Sequence, residues 1–302
     1  MEKSFILHML TTAKNLSPFD VNMAMDAGWV SAIPYTNVEA SEVKGLIQDV
    51  IFSRSPKGLK RTGIFIGGRD SKQARDMLKI AKNSMFSPFE VSVFADPSGA
   101  FTTAAGMVAA VEQELDKKFN TTFEGKNLLV FGGTGPVGQV ASVLAAQAGA
   151  NVKIIGRQLD KAQRIADLCN EEFGEGKIQI TAGADTDKAE YIKTTDVIFS
   201  TGAAGIELLN TEHISSASQL KVAADINAIP PSGISGLDPF DNGKAITGST
   251  SGAVGLGALA IGNIKYKTQS RLLTQMIESN EPVYLHFEHA FEVAREIIKS
   301  IK

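Results

Sequence analysis

The run Leu128-Leu129-Val130-Phe131-Gly132-Gly133-Thr134-Gly135-Pro136-Val137-Gly138 constrains this chain more than any other part of it. Apolar residues suited to a buried strand give way to a Gly133-x-Gly135-x-x-Gly138 turn and then to the helix-prone stretch Val140–Ala146. Val152-Lys153-Ile154-Ile155 follows as a second short apolar strand. Together these make one strand–helix–strand unit of parallel type. Glycines there keep the turn tight, let the backbone approach a pyrophosphate and let helix and strand pack closely. The helix N-terminus adds free N–H groups and a positive dipole end. Gly133, Thr134, Gly135, Pro136, Val137 and Gly138 are therefore candidate dinucleotide contacts.

Nineteen residues after Gly138 stands Arg157, preceded by Gly156. An NAD-binding unit carries Asp or Glu about twenty residues on, to hold the ribose 2′-hydroxyl, whereas Arg suits a 2′-phosphate. The expected cofactor is NADP, with NAD as second choice. Lys161 and Arg164 share a helix face with Arg157; Lys161 is read as further positive charge near the phosphate and Arg164 as a solvated position.

At 302 residues the chain favours two domains over one. Its net charge of −3 gives no electrostatic argument for nucleic acid or an anionic membrane. A single cysteine, Cys169, excludes an intrachain disulfide framework and a Cys-based zinc site. The start of the chain lacks signal-peptide character, and the longest apolar stretch, Ala253–Ile264, is too short and glycine-rich to span a bilayer. The expectation is a cytoplasmic protein with no membrane or nucleic-acid partner.

Repeated strand–helix alternation predicts an α/β fold: two α/β domains around a cleft, the second a Rossmann-type dinucleotide-binding domain with a parallel sheet. Residues 1–118 are read as the first domain and 119–268 as the second, with helices in 269–302 returning to the first. Strands are expected near 4–10, 62–66 and 89–95, and helices over 71–83 and 103–118. Ser17 is a candidate helix cap, with Pro18 in the first turn. In the second domain strands are expected over 127–132, 151–155, 178–181, 195–200 and 220–224. The glycine-rich 243–262 region is read as a loop.

Ligands of doubly wound sheets sit beyond the carboxyl ends of the strands. That rule selects Thr201, Gly202 and Ala203 after one apolar strand, and Asn227 (with Asp225) after the next, as further cofactor-side residues. Asp225 and Asn227, if turned inward, need hydrogen-bond partners. His286, Glu288 and His289 lack a third ligand in sequence, so no metal site is expected. Neither a GxSxG elbow nor a Walker motif is present. Lys265 and Lys267 follow a small-residue run and stand out from ordinary surface lysines.

Several motifs in order carry a resemblance across nearly the whole chain. They are Ile6–Leu10, Ser17–Asn22, Thr62–Gly68, Asp96–Gly99 with Thr102-Thr103, Gly133–Gly138, Gly156-Arg157, Ala224–Ile234 and Gly257–Lys267. On these the chain resembles the NAD(P)-dependent methylene-tetrahydromethanopterin dehydrogenases of methylotrophic bacteria. The resemblance implies oxidation of methylene-tetrahydromethanopterin by direct hydride transfer in one-carbon metabolism, and a homo-oligomer, often a trimer. By matching motif Lys265 takes the place of the family's active-site lysine. Phe19, Asp20, Asp96, Ser98, Thr102 and Thr103, with Lys265, are the implied substrate contacts. The N-terminal motifs look like the branch dedicated to methanopterin, whereas Gly133–Gly138 with Arg157 looks like the NADP-restricted branch, some of which accept tetrahydrofolate. Methylene-tetrahydrofolate is therefore the alternative substrate, and a non-catalytic NADPH sensor is the reading from another class.

Overall fold

The computed structural model describes residues 3–174 and 176–300. In chain order the elements are β1 (Ile6–Leu10), α1 (Pro18–Asp26), β2 (Ser31–Tyr35), α2 (Ala40–Phe52), α3 (Pro56–Leu59), β3 (Thr62–Ile66), α4 (Ser71–Asn83), β4 (Ser92–Ala95) and α5 (Ala100–Phe119). They continue as β5 (Asn127–Phe131), α6 (Pro136–Gln147), β6 (Asn151–Gly156), α7 (Leu159–Leu168), β7 (Thr181–Ala184), α8 (Lys188–Ile192), β8 (Val197–Ser200), α9 (Thr211–Ser216) and β9 (Val222–Asp225). The last are β10 (Asn242–Ala245), β11 (Val254–Leu256), α10 (Ala258–Glu278), β12 (Tyr284–Leu285) and α11 (Phe287–Ser300). The chain forms two compact units: residues up to Thr102 with Tyr266–Val293, and Thr103–Lys265 with the chain from Ala294. The divides thus fall inside α5, α10 and α11, where the sequence pattern put the first at 118 and the second at 268.

The first unit is built on a parallel sheet of order β12-β4-β3-β1-β2. Its inner strands β3 and β4 are buried at every position. Parallel strands covered on both faces need such unbroken apolar runs, which is why Gly63-Ile64-Phe65-Ile66 does not alternate. The edge strand β2 is half exposed and carries Pro34. An edge tolerates proline because no neighbour asks for its missing N–H. Phe65 and Phe94 meet edge to face, ring centroids 5.5 Å apart, and both are fully buried. Each such ring contributes about 1.5–3 kcal/mol of burial. Helix α4 starts where Asp70 Oδ1 accepts the Gln73 N–H at 2.7 Å. Ser17 precedes α1 in extended conformation but its hydroxyl closes no cap bond, contrary to expectation.

The second unit has a sheet of order β10-β11-β9-β8-β5-β6-β7, parallel except for β10 against β11. Read from β7 inward, the six parallel strands have the doubly wound order, which reverses between β5 and β8. The strand expected over 178–181 begins at Thr181. Asn170 takes both backbone groups of Ile180, accepting its N–H at 2.7 Å and donating to its carbonyl at 2.9 Å, so that residue cannot join the ladder. The 243–262 region is not a loop: it holds β10, β11 and the start of α10. Gly255 serves packing, since the Leu237 side chain comes within 2.9 Å of where its Cβ would stand. No helix among the described residues is long and apolar enough to cross a membrane.

Candidate functional site

The clearest ligand-shaped feature of the second unit lies beyond the end of β5. Gly132 adopts φ +75°, and a Cβ on it would stand 2.5 Å from the Gly202 nitrogen. Only glycine meets both demands. The sequence motif counted from Gly133; the residue before it makes the turn. Gly135 occupies the position before α6 in extended conformation, and Pro136 fills the first turn. No side chain caps this helix. Its first N–H groups, Val137 and Gly138 among them, are therefore directed along the axis beyond the strand ends. Gln139 Nε2 donates to the Thr134 carbonyl at 3.0 Å and keeps the turn closed.

Thr201, read from sequence as a cofactor contact, is buried, and its hydroxyl donates to the Phe131 carbonyl at 2.9 Å. It ties the end of β8 to the end of β5. Gly202 lies against Gly132, and Ala203 is exposed at the loop tip. At the end of β6, Gly156 is followed by Arg157 and Gln158, with no carboxylate at the strand end. Arg157 and Lys161 are both exposed. An uncapped helix N-terminus beside a strand ending in Arg is a donor set that fits a pyrophosphate and a 2′-phosphate.

Three strands over from β6, Asp225 ends β9 and is 1% exposed. Burial pushes its carboxyl above the usual carboxylate range, opposed first by the Asn227 N–H. The Asn227 side chain is likewise buried. Its Oδ1 accepts the N–H groups of Gly205 (3.1 Å) and Ile229 (3.0 Å), and its Nδ2 donates to the Pro231 carbonyl at 2.8 Å. The partners that sequence required of both residues are backbone groups of their own and a neighbouring loop.

In the first unit a cavity of about 340 Å³ opens beyond the ends of β1, β3 and β4. Thr11, Asp20, Arg69 and Ser98 line it, together with Ala13 and residues 15–18. Asp20 is 3% exposed, and its Oδ1 accepts Gln269 Nε2 at 2.8 Å. The exposed Ser98 hydroxyl donates to the Gly68 carbonyl at 2.7 Å, joining the β3 and β4 loops. Asp96 and Thr102, expected to touch substrate, hold one another instead. The Thr102 hydroxyl donates to Asp96 Oδ2 at 2.6 Å, and Asp96 Oδ1 accepts the N–H groups of Phe101 and Thr102. Both are fully buried, and they fix the first turn of α5. Phe19 is 45% exposed in the first turn of α1, and Thr103 is half-buried.

Lys265 is not in a loop: it sits half-buried in the second turn of α10. Its backbone nitrogen is 3.2 Å from where a Cβ on Gly106 would stand, so α5 and α10 touch closely at that point within the second unit. His286 and His289 act as helix caps. His289 Nδ1 accepts the His286 N–H at 3.3 Å, and the rings are 4.6 Å apart. No group of three or more potential metal ligands is present among the described residues.

Residues 18–98 match the family model described as methylene-tetrahydromethanopterin dehydrogenase, N-terminal. Residues 113–232 match the model for shikimate / quinate 5-dehydrogenase. The chain is 45% identical to the NAD(P)-dependent methylenetetrahydromethanopterin dehydrogenase of Methylorubrum extorquens, over 97% of its own length and 98% of that protein. This chain belongs to that family. It is also 36% identical, over the same shares of the two chains, to the bifunctional protein MdtA of the same organism. Among solved structures it is similar to shikimate 5-dehydrogenase from Listeria monocytogenes, with a TM-score of 0.56, 12% identity and coverage of 98% of this chain and 96% of that one. Quinate dehydrogenase from Corynebacterium glutamicum gives 0.55 at 11% identity, covering 99% and 100%. At such identities these two structures speak for the fold: two α/β units, the second of Rossmann type.

Sequence reasoning singled out the β5–α6 turn and Arg157 as candidates but not Gly132, Thr11, Arg69 and Gln269, which the structure sets beside the candidate residues. Thr11 and Arg69 were open to the strand-end rule, since they follow β1 and β3 as Asp225 ends β9. Gln269 carried no local signal, because its partner Asp20 lies 249 residues away.

Proposed function

We propose that this chain oxidises methylene-tetrahydromethanopterin to the methenyl form by direct hydride transfer to NADP, with NAD as the weaker acceptor. The observation that carries the reading is the uncapped α6 N-terminus beside a β6 end that bears Arg157 and no carboxylate. The family adds the substrate class: its relative at 45% identity is named for methylenetetrahydromethanopterin and NAD(P).

Gly132–Gly138 and the first turn of α6 hold the pyrophosphate, while Arg157, helped by Lys161, pairs with the 2′-phosphate. The bound nicotinamide supplies the hydride acceptor. The pterin is taken by the first-unit cavity, where the Asp20 carboxylate accepts ring N–H groups and Arg69 and Ser98 offer donors to its oxygens. Lys265 is the proposed substrate-positioning lysine, on the strength of the Gly257–Lys267 motif, as a donor to a pterin oxygen. When the C–H bond of the methylene carbon breaks, both electrons leave with the hydrogen, and the two flanking nitrogens share the positive charge. No proton moves in that step, so the chain needs no general base. Its contribution is orientation and a field suited to a cationic product. The reading extends to a cytoplasmic homotrimer working in one-carbon metabolism.

Initial rates at 340 nm with methylene-tetrahydromethanopterin and methylene-tetrahydrofolate, each with NADP and NAD, test this directly. Turnover fastest with the methanopterin substrate and NADP is expected. A folate preference would move the carrier, and NADPH binding without turnover would favour the sensor reading. Lys265→Ala should lower kcat/KM for the pterin roughly hundredfold while leaving the Kd for NADPH unchanged; unaltered turnover would remove Lys265 from the site.

A further inference from the structure

We propose that Asp225 and Asn227 form a buried latch that positions the nicotinamide half of the cofactor, acting through the β8 and β9 loops without touching the ligand. The inference rests on the NADP reading above. If Arg157 at the end of β6 takes the adenosine 2′-phosphate, the nicotinamide half falls to the other side of the switch point, where β8 and β9 end.

Those two loops are held by side chains rather than by a helix. Asp225 Oδ1 accepts the Asn227 N–H at 3.1 Å, and its Oδ2 accepts the N–H groups of Gly233 (2.6 Å) and Ile234 (3.3 Å). One carboxylate thereby closes the β9 loop on itself. Asn227 carries the tie across to the β8 loop through the Gly205 N–H. Gly233 is clamped from both sides, since its carbonyl also accepts the N–H groups of Leu208 (2.9 Å) and Leu209 (3.1 Å). A Cβ at Gly233 would collide with the Ser200 hydroxyl and stand 2.8 Å from Asp225 Oδ1. That hydroxyl is buried against the carboxylate without closing a hydrogen bond of good geometry.

Above this buried network the loop tips are mostly small or apolar, with Glu207 the exposed charge among them. Ala203, Ala204 and Ala228 are exposed, and Ile206 and Ile229 are 49% and 59% exposed. Large side chains left bare over a rigid polar base are suited to cover a flat ring. The latch keeps those tips at fixed height, and the part of the β8 loop that meets the phosphate turn, Thr201 and Gly202, lies ahead of the Gly205 tie.

That separation gives the test. NADPH reports on both halves of the site, whereas 2′,5′-ADP carries the 2′-phosphate and no nicotinamide. Calorimetry on the full chain should show Asp225→Asn binding NADPH about tenfold or more weakly, because an amide leaves a buried N–H opposite its own NH₂. Its Kd for 2′,5′-ADP should stay within about twofold, and kcat should fall. Asn227→Ala should give the same split, and so should Asn227→Asp, which keeps the acceptor to Gly205 and Ile229 but sets a carboxylate oxygen against the Pro231 carbonyl. The Asn227 pair carries the test should Asp225→Asn fail to fold. Equal weakening of both probes, or NADPH binding equal to wild type in Asp225→Asn and Asn227→Ala, would overturn the latch. Wild-type protein that binds neither probe would instead overturn the cofactor reading itself.

Discussion

Beyond the carboxyl end of the second-unit sheet, the phosphate-shaped turn consists of main chain: Gly132, Gly135 and the open first turn of α6. Beyond the carboxyl end of the first-unit sheet, the cavity is lined by side chains, Thr11, Asp20, Arg69 and Ser98, contributed from four separate segments. Both obey the same strand-end rule of parallel sheets. They differ in what they ask of the sequence. A main-chain site needs residues that do not interfere, and glycine spacing records that need locally. A side-chain site needs particular groups brought together, and nothing local records which will meet.

The sharpest way to break this comparison is Asp20→Asn. The amide keeps an acceptor for Gln269 while the carboxylate lining the cavity is lost. A loss in kcat/KM for the pterin of roughly a hundredfold is expected, with the Kd for NADPH unchanged. A parallel loss of NADPH affinity would mean the two sites are not separable. Next in size, Arg157→Asp should cut the NADP-over-NAD preference by about tenfold to thirtyfold and leave the pterin KM alone, since it replaces a charge-assisted contact with repulsion. An unchanged ratio would place the reading of the 2′-phosphate elsewhere.

The smallest effect separates the units by pH. In the first unit burial, with Arg54 adding, lowers the pKa of His8, and burial pushes His286 down to about 3, with His289, Arg75 and Lys82 adding to the latter. The unfolded chain takes up protons near pH 6.5, where the folded rings do not. Stability from these rings is therefore full above that pH and falls as pH drops from 6.5 towards 3, by about 1–2 kcal/mol between pH 7 and 5 for His286. Hydrogen exchange at pH 5 should quicken around Tyr284–Phe291 before it does in the second-unit sheet. Simultaneous loosening would show the units to be thermodynamically one. In the second unit His213 is also lowered, by burial first, but it lies at the surface end of α9 and carries less.

Much of the fold was legible because burial leaves a period in the sequence. The buried β3 and β8, and β5 after its exposed Asn127, read as apolar runs, and α4 begins and ends where its pattern does. The misreadings have one cause. The glycine-rich 243–262 region reads as a loop, yet the tertiary fold uses Gly255 to admit Leu237. Asp96 and Thr102 were taken as ligand groups, yet each is the other's hydrogen-bond partner. A polar residue in a small-residue motif looks the same from sequence whether its partner is a ligand or the chain itself.

The sequence by itself determined the alternation of strands and helices, the parallel second sheet, the β5–α6 turn and the positive residue after β6. These rest on burial and backbone conformation, which neighbours in the chain dictate. Only the tertiary structure decided that Gln269 meets Asp20, that Arg69 and Ser98 share a cavity, and that Asp225 is spent on Gly233 and Ile234. Such pairings depend on loop closure over tens to hundreds of residues. The energy of a hydrogen bond is fixed by where the two partners end up, and their place in the chain carries no trace of it.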